Sequence, residues 1–303
     1  MNSISGIHHV TAISGAPQPN VDFVTGVLGQ KLVKKTVNFD DPGTYHLYYG
    51  DAAGSPGTIL TFFPFADAGP GRAGPGMASA YAYAIPAADF DRITDDLAVR
   101  GLTTAGAGQR FGERFVTLRD PDGAPVELVE SAEARDGHGF HSVTLWERDP
   151  ERTIRLLTDV FGYEHAGTEQ DGATERQRLI APGAERARIL DVIRVAGAQP
   201  GRQGAGTIHH IAFRTKDDAE QLEWMERLAS AGHRTTPVTD RQYFNAIYFR
   251  EPGGVLFEIA TDPPGFAVDE PVQSLGQSLK LPPRYEPLRA RIERVLPPLR
   301  VRA

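Results

Sequence analysis

The chain alternates between short apolar runs, segments with helical spacing and pairs of alternating strands, and this order recurs four times. The apolar runs predict strands at 7–13, 80–85, 140–145 and 208–213. After each run comes a segment whose apolar residues recur at helical spacing, as Phe90, Ile93 and Leu97 do. A glycine follows each segment, and glycine readily adopts the left-handed backbone conformation found just after the end of many helices. The predicted helices are 21–28, 89–100, 151–161 and 218–231.

Each repeat closes with a predicted hairpin, and the third hairpin is the least regular. The hairpins lie at 45–63, 115–130, 176–193 and 246–260. One βαβββ unit cannot cover its own sheet, so we expect an α+β fold in which four units build two half-open barrel cups. Stretches rich in Gly and Pro at 66–76 and 194–206 are interpreted as linkers. The predicted modules are 1–66, 78–131, 138–193 and 206–261, followed by a tail at 262–303.

Composition narrows the classes of function. The 303 residues carry 32 basic and 39 acidic side chains, a net charge of 32 − 39 = −7, which disfavours nucleic-acid binding. There are no cysteines, which excludes thiolate metal sites and cysteine nucleophiles. No apolar run approaches the roughly 20 residues of a membrane span, and the first residues show no secretory signal. We therefore expect a cytoplasmic protein that binds neither nucleic acid nor membrane.

Two histidine doublets carry the candidate chemistry. His8-His9 and His209-His210 lie in the first and fourth apolar runs, and Glu258 follows His210 by 48 positions. Two histidines and one carboxylate are the ligands of a facial iron site with open positions. Alternate side chains of a strand point to opposite faces, so a doublet needs a local twist or a second role at the rim of the cup.

The pairing of the four units is left open by spacing alone. Sequential pairing would bring His141, His210 and Glu258 together, whereas outer–inner pairing would put His9 in place of His141. Because the first and fourth units share the doublet, outer–inner pairing is favoured. The other cup would then hold a degenerate set, with Tyr81 aligned by its distance to the next helix-ending glycine: Tyr81, His141 and Glu127.

Longer stretches carry a family resemblance over nearly the whole chain, tail included. The chain resembles the vicinal oxygen chelate superfamily, which includes glyoxalase I, extradiol dioxygenases and bleomycin-resistance proteins. More narrowly, it is similar to the hydroquinone and chlorohydroquinone ring-cleaving dioxygenases. The matching stretches include HHVTAISG (8–15), GFHSVTL (139–145), TIHHIAF (207–213), DRQYFNAIYFREPGGVLFEIATD (240–262) and SLGQSLKLPPRYE (274–286).

The resemblance implies an enzyme that cleaves hydroquinone-type rings and inserts both oxygen atoms of O2. It implies Fe(II), with Mn(II) as the alternative metal, held by the second histidine of each doublet and by the glutamate. It also implies that three further residues line the substrate pocket and act in catalysis. We further expect a homo-oligomer. The implied metal ligands are His9, His210 and Glu258, and the implied pocket residues are His8, Arg241 and Tyr248.

Three other functions stay open at this point. A glyoxalase-like isomerase or thiol transferase would commonly use more protein ligands, and Thr61 stands where a second carboxylate would be needed. A metal-free binding module would not need the intact set of two histidines and a glutamate. A catechol extradiol enzyme would use His141. Fold alone cannot separate these chemistries.

Overall fold

The four βαβββ units are present in the computed structural model, which describes residues 3–102 and 105–301. The first unit comprises β1 (Ile7–Ser14), α1 (Pro17–Gly26), β2 (Lys31–Val37), β3 (Tyr45–Gly50) and β4 (Ile59–Pro64). The second comprises β5 (Met77–Pro86), α2 (Ala87–Val99), β6 (Gly106–Arg110), β7 (Glu113–Arg119) and β8 (Pro125–Ser131). The third comprises β9 (Phe140–Trp146), α3 (Pro150–Arg155), β10 (Glu164–Asp171), β11 (Thr174–Ile180) and β12 (Ile189–Val195). The fourth comprises β13 (Thr207–Thr215), α4 (Asp218–Ser230), β14 (Thr239–Asp240), β15 (Phe244–Arg250) and β16 (Leu256–Pro264).

Two curled sheets of eight strands form from these units, which confirms the predicted fold class. The first sheet has the order β14-β15-β16-β13-β1-β4-β3-β2 and so joins the first and last stretches of the chain. The second sheet, β10-β11-β12-β9-β5-β8-β7-β6, is built from the middle of the chain. In each sheet the central contact is an antiparallel pair of first strands, β1 with β13 and β5 with β9. Among the described residues, no helix combines the length and the apolar character needed to cross a bilayer.

Two helices differ from the prediction for local reasons. α1 begins at Pro17, four residues before the predicted start at 21, because a proline is well suited to the first turn of a helix. The predicted helix at 151–161 is α3 followed by a single π-helical segment, Leu156–Val160. Phe161 follows that segment and packs its ring 4.7 Å from Phe213 on β13 and 5.6 Å from Trp224 on α4. Aromatic packing therefore joins the third and fourth units.

The tail runs along the first sheet beside β2. Lys34 on β2 is fully buried, and its ammonium group lies 2.5 Å from carboxylate oxygens of both Asp269 and Glu270. A buried cation is tolerated when it is paired in this way. The predicted helix near the end of the tail is α5 (Arg289–Val295), and Ile292 is its buried residue. The tail is thus held by a charged anchor as well as by apolar contacts.

A buried pair of carboxyl groups links the loop after β9 to the β15–β16 turn. Glu251 already accepts hydrogen bonds from the Thr153 hydroxyl at 2.6 Å and the Val255 amide at 2.8 Å. Glu147 is 1% exposed, and neither of its carboxyl oxygens has a hydrogen-bond partner, so a negative charge on this group would be costly. Burial and the adjacent Glu251 carboxylate raise the pKa of Glu147 to about 9. Glu147 is therefore the neutral member of the pair at pH 7.

Glu147→Gln is expected to stabilise the protein more at pH 8 than at pH 5. The native state keeps a proton on Glu147 that the unfolded chain releases above about pH 4.5, so stability falls as pH rises from there towards 9. Glutamine keeps a hydrogen-bond donor without this dependence. Urea unfolding should show a gain that is larger at pH 8 by at least ~1 kcal/mol. The exposed Glu226→Gln variant is the control, and an equal effect of Glu147→Gln at both pH values would contradict the assignment.

Candidate metal centre

Three side chains from adjacent central strands of the first sheet converge on one point. His9 lies on β1, His210 on β13 and Glu258 on β16, and one ligand atom from each lies within 4.8 Å of the others. The Nε2 atoms of His9 and His210 lie 3.4 and 2.9 Å from Oε2 of Glu258. All three residues are buried. Because β13 pairs with both β1 and β16, the sheet itself fixes this convergence.

Each histidine doublet occupies a β-bulge in the pairing of β1 with β13. On β1, Ile7 and His9 oppose consecutive residues of β13, so His8 is the extra residue. On β13, His210 and Ile208 oppose consecutive residues of β1, which leaves His209 extra. A bulge breaks the strict alternation of side chains. It therefore provides the local twist that two neighbouring histidines require.

The bulges place the two rings of each doublet in direct contact. Nδ1 of His8 lies 2.9 Å from Nδ1 of His9, and Nδ1 of His209 lies 2.7 Å from Nδ1 of His210. Burial, together with the adjacent His9, lowers the pKa of His8 well below its usual value, so His8 is neutral and can accept a hydrogen bond. If Nδ1–H of His9 donates to His8, Nε2 of His9 keeps its lone pair towards Glu258. A hydrogen-bonded outer nitrogen of this kind orients a metal-binding histidine.

Glu258 has the surroundings of a metal ligand. Its carboxylate is fully buried, and neither oxygen has a hydrogen-bond partner. Burial alone would raise the pKa of this carboxyl, but His9 and His210 hold it well below its usual range, so the group is ionised. A buried carboxylate without hydrogen bonds is costly unless a cation pairs with it. Two neutral imidazoles and one carboxylate fit a divalent first-row transition metal.

A cavity of about 280 Å³ opens onto these ligands. Tyr248 stands opposite Glu258 in the β15–β16 pair, and its hydroxyl oxygen accepts a hydrogen bond of 3.0 Å from Nε of Arg241. Burial and the nearby Glu258 raise the pKa of Tyr248, so the phenol keeps its proton. Arg241 also contacts Asp40 at 3.1 Å across the mouth. The predicted pocket residues Arg241 and Tyr248 thus lie beside the metal ligands.

The third predicted pocket residue, His8, is placed differently. Its side chain does not line the cavity; it is 2% exposed and packs against Phe244 with ring centroids 5.3 Å apart. His8 therefore contacts His9, and its expected contact with the substrate stays a prediction. The bulge on β1 allows the contact between the two rings. From the other doublet, His209 lines the cavity together with its neighbour His210.

The second sheet brings His141 into a different environment. Nε2 of His141 lies 3.0 Å from Glu113, which also accepts a hydrogen bond of 2.7 Å from Arg178. His141 is thus in the other sheet from Glu258 and does not join its ligand set. A cavity of about 400 Å³ lies beside it, larger than the one at the metal ligands. Among the described residues, His9, His210 and Glu258 form the only group of three histidine or carboxylate side chains whose ligand atoms are close enough to hold one metal ion.

Strand register also corrects which residues of the second sheet correspond to the ligands. Glu258 pairs with Ala212, and His210 lies two residues before Ala212. In the second sheet, the residues two positions before the partners of Glu127 and Asp191 are Ala80 and Ser142. The predicted equivalents, Tyr81 and His141, are each displaced by one position. The carboxylates of the second sheet are held by guanidinium groups instead: Glu127 by Arg110, and Asp191 by Arg176 and Arg178.

Several residues of the cavity were not indicated by the sequence pattern, among them His46, Tyr48 and Phe244. His46 and Tyr48 both lie on β3 and line the cavity, and Phe244 packs over His9 at a ring distance of 5.0 Å. His46 has no partner in the repeat pattern, so the pattern assigns it no role. The alternating positions 46 and 48, beside the strand that carries Thr61, were the available signal.

Comparison with known proteins places the chain among related sequences. The family model described as the Glyoxalase/Bleomycin resistance protein/Dioxygenase superfamily matches residues 6–128 and 139–259. MhqO of Bacillus subtilis, named as a candidate ring-cleaving dioxygenase, is 45% identical and covers 98% of this chain and 97% of its own length. The chlorohydroquinone/hydroquinone 1,2-dioxygenase of Sphingobium indicum is 33% identical, covering 97% of this chain and 96% of its own.

Two solved structures are also similar to this chain. The crystal structure of a candidate dioxygenase from Bacillus subtilis has a TM-score of 0.93 and 44% identity, and covers 100% of this chain and 99% of its own. Glyoxalase I from Zea mays has a TM-score of 0.65 at 17% identity, covering 85% of this chain and 92% of its own, which shows a shared fold.

Divalent metal is expected to raise the melting temperature of the wild type and not that of Glu258→Gln. A ligand that binds only the native state stabilises it by about 2.7 kcal/mol at a 100-fold excess over its Kd, or roughly 5 °C for a protein of this size. Mn(II) titration followed by calorimetry measures the shift. Glu127→Gln in the second sheet is the control and should keep the full response. A response retained by Glu258→Gln would exclude this carboxylate as a ligand.

His8→Leu is expected to weaken Mn(II) binding by about 10–100-fold, because His9 loses the acceptor that orients its ring. Isothermal titration of the metal-free variant measures the affinity. His138→Leu removes a part-buried histidine that contacts Gln30 away from the metal ligands, and it should bind like the wild type. Unchanged affinity in His8→Leu would show that the doublet does not support the ligand.

Proposed function

Since the chain belongs to the Glyoxalase/Bleomycin resistance protein/Dioxygenase superfamily, we propose that it is an Fe(II)-dependent ring-cleaving dioxygenase acting on hydroquinone-type aromatics. The observation that carries the proposal is the buried Glu258 carboxylate, which has no hydrogen bond and faces Nε2 of two histidines. Both oxygen atoms of O2 would enter the product. Mn(II) is the alternative metal.

The donor set supports an oxygenase more than an isomerase. Thr61 on β4 pairs with Thr11 on β1, just as Glu258 on β16 pairs with Ala212 on β13, so Thr61 occupies the position equivalent to Glu258. The place where a second carboxylate ligand would stand therefore holds a neutral hydroxyl group. That hydroxyl is already engaged with Thr11 at 3.0 Å. A metal held by three protein ligands keeps open positions for substrate and oxygen. When bound, Fe(II) would supply Lewis acidity towards the phenol and electron transfer between ring and oxygen.

The cavity walls suit an aromatic ring. Phe63, Phe65, Phe244 and Leu256 line it and would exclude water from the ring. Burial and the nearby Glu258 carboxylate raise the pKa of Tyr248, so the phenol keeps its proton while its oxygen accepts a hydrogen bond from Arg241. It can therefore donate a hydrogen bond or a proton to an oxygen atom of the substrate. The guanidinium of Arg241 adds positive charge that favours an anionic phenolate.

The substrate class is proposed from the named activity of a relative. The Sphingobium protein that matches nearly the whole chain is named for hydroquinone and chlorohydroquinone. The candidate ring-cleaving activity of the 45% identical relative is consistent with the same broad reaction. A para-dihydroxy ring needs polar contacts at both ends of an otherwise apolar cavity. Those contacts would be the metal ligands at one end and hydroxyl groups of the cavity wall at the other.

Oxygen uptake by the anaerobically Fe(II)-loaded protein tests the proposal. The wild type should consume one O2 per hydroquinone and give a ring-opened product that carries both labelled atoms from ¹⁸O2. His9→Ala should lose the metal and at least ~100-fold of the activity, because a ligand is removed. His141→Ala, a histidine of the second sheet, should keep both. Uptake with catechol but not with hydroquinone would overturn the substrate class. Retained iron and turnover in His9→Ala would overturn the site.

A further inference from the structure

A second polar wall of the cavity lies on β3, on the other side of the metal ligands from Tyr248. His46 and Tyr48 occupy alternate positions of this strand, so both side chains point to the same face, and both line the cavity. Burial raises the pKa of the Tyr48 phenol, and the nearby Tyr248 and Glu258 add to this effect. The Tyr48 hydroxyl is thus protonated and close to the reacting centre.

A chain of hydrogen bonds fixes the direction of the Tyr48 hydroxyl. The Thr61 hydroxyl donates to Thr11 at 3.0 Å, so its oxygen is left to accept from Nε2–H of His46 at 2.8 Å. A neutral imidazole with a proton on Nε2 has a lone pair on Nδ1. That lone pair accepts from the Tyr48 hydroxyl at 2.8 Å. Burial lowers the pKa of His46 well below its usual value, so the ring is neutral as this order requires.

This order gives the two tyrosines of the cavity opposite hydrogen-bonding roles. Tyr248 accepts from Arg241 and keeps its own proton to donate. Tyr48 has committed its proton to His46, so its oxygen can only accept from a ligand. An acceptor at this wall favours a ligand that carries a proton there and disfavours one that does not.

We propose that Tyr48 contacts the substrate directly and accepts a hydrogen bond from the hydroxyl group of a para-dihydroxy aromatic that is not at the metal, with His46 as the positioning residue that holds this acceptor in place. The inference rests on the proposed function and adds to it a residue that selects hydroquinones over phenols whose second oxygen is methylated. No bond is made or broken in this step.

Anaerobic calorimetric binding to the Fe(II)-loaded protein tests the inference, with hydroquinone and 4-methoxyphenol as probes. The wild type should prefer hydroquinone, and Tyr48→Phe should lose about 3–10-fold of hydroquinone affinity with little change for 4-methoxyphenol. Tyr49→Phe is a matched control. Its hydroxyl, on the next residue of the same strand, bonds to Asn20 at 2.8 Å outside the cavity, so the preference should persist.

A second pair of variants separates positioning from packing. His46→Gln keeps an acceptor and a donor on a neutral side chain and should retain the preference for hydroquinone. His46→Phe keeps the bulk without the hydrogen bonds and should lose it, which also carries the test if Tyr48→Phe does not fold. Oxygen uptake with hydroquinone alongside an unchanged preference in Tyr48→Phe and His46→Phe would overturn the inference alone. Failure of the wild type to bind or consume hydroquinone would overturn the proposed function as well.

Discussion

The site depends on one constraint, the antiparallel pairing of β1 with β13 and the bulge that each strand carries in it. Without the bulges, the neighbouring histidines of each doublet would point to opposite faces of the sheet, and their rings could not meet. With them, the outer histidine of each doublet contacts Nδ1 of the inner one. The inner rings, His9 and His210, then face Glu258. Backbone register therefore decides the ligand positions and brings the Nδ1 atoms of each doublet together.

The second sheet has the same strand arrangement, but its buried carboxylate is paired with arginines. Asp191 stands at the register position of Glu258 and is equally buried, but Arg178 and Arg176 contact its two oxygens. These arginines hold the pKa of Asp191 below its usual value although burial would raise it. One buried carboxylate is thus neutralised by guanidinium groups, whereas the carboxylate of Glu258 faces the rings of His9 and His210. The contrast within one chain indicates that a cation completes the first site.

The fold and the metal ligands could be predicted because they depend on patterns that survive along the sequence. Repeated strand–helix–hairpin order gave the two-cup fold, and the shared doublets favoured the set with His9. Exact register could not be obtained, because the distance from the ligand position to the helix-ending glycine varies from 20 to 22 residues. One residue changes the face of a strand. Tyr81 and His141 were therefore misaligned by one, and the contact between the rings of His8 and His9 could not be predicted from the sequence.

The C-terminal tail contacts residues that line the cavity, so the two cups alone do not make up the whole site. The backbone carbonyl of Phe39, a residue of the cavity wall, accepts hydrogen bonds from Arg284 at 2.9 Å and Tyr285 at 2.8 Å. Phe266 packs 5.1 Å from the ring of Tyr48. Each wall beside the metal ligands is thus supported by a segment outside its own strand. Asp40 contacts Arg241 on the Tyr248 side, and the tail packs against Tyr48 on the β3 side. The tail therefore supports the site through the wall residues that it contacts, Phe39 and Tyr48.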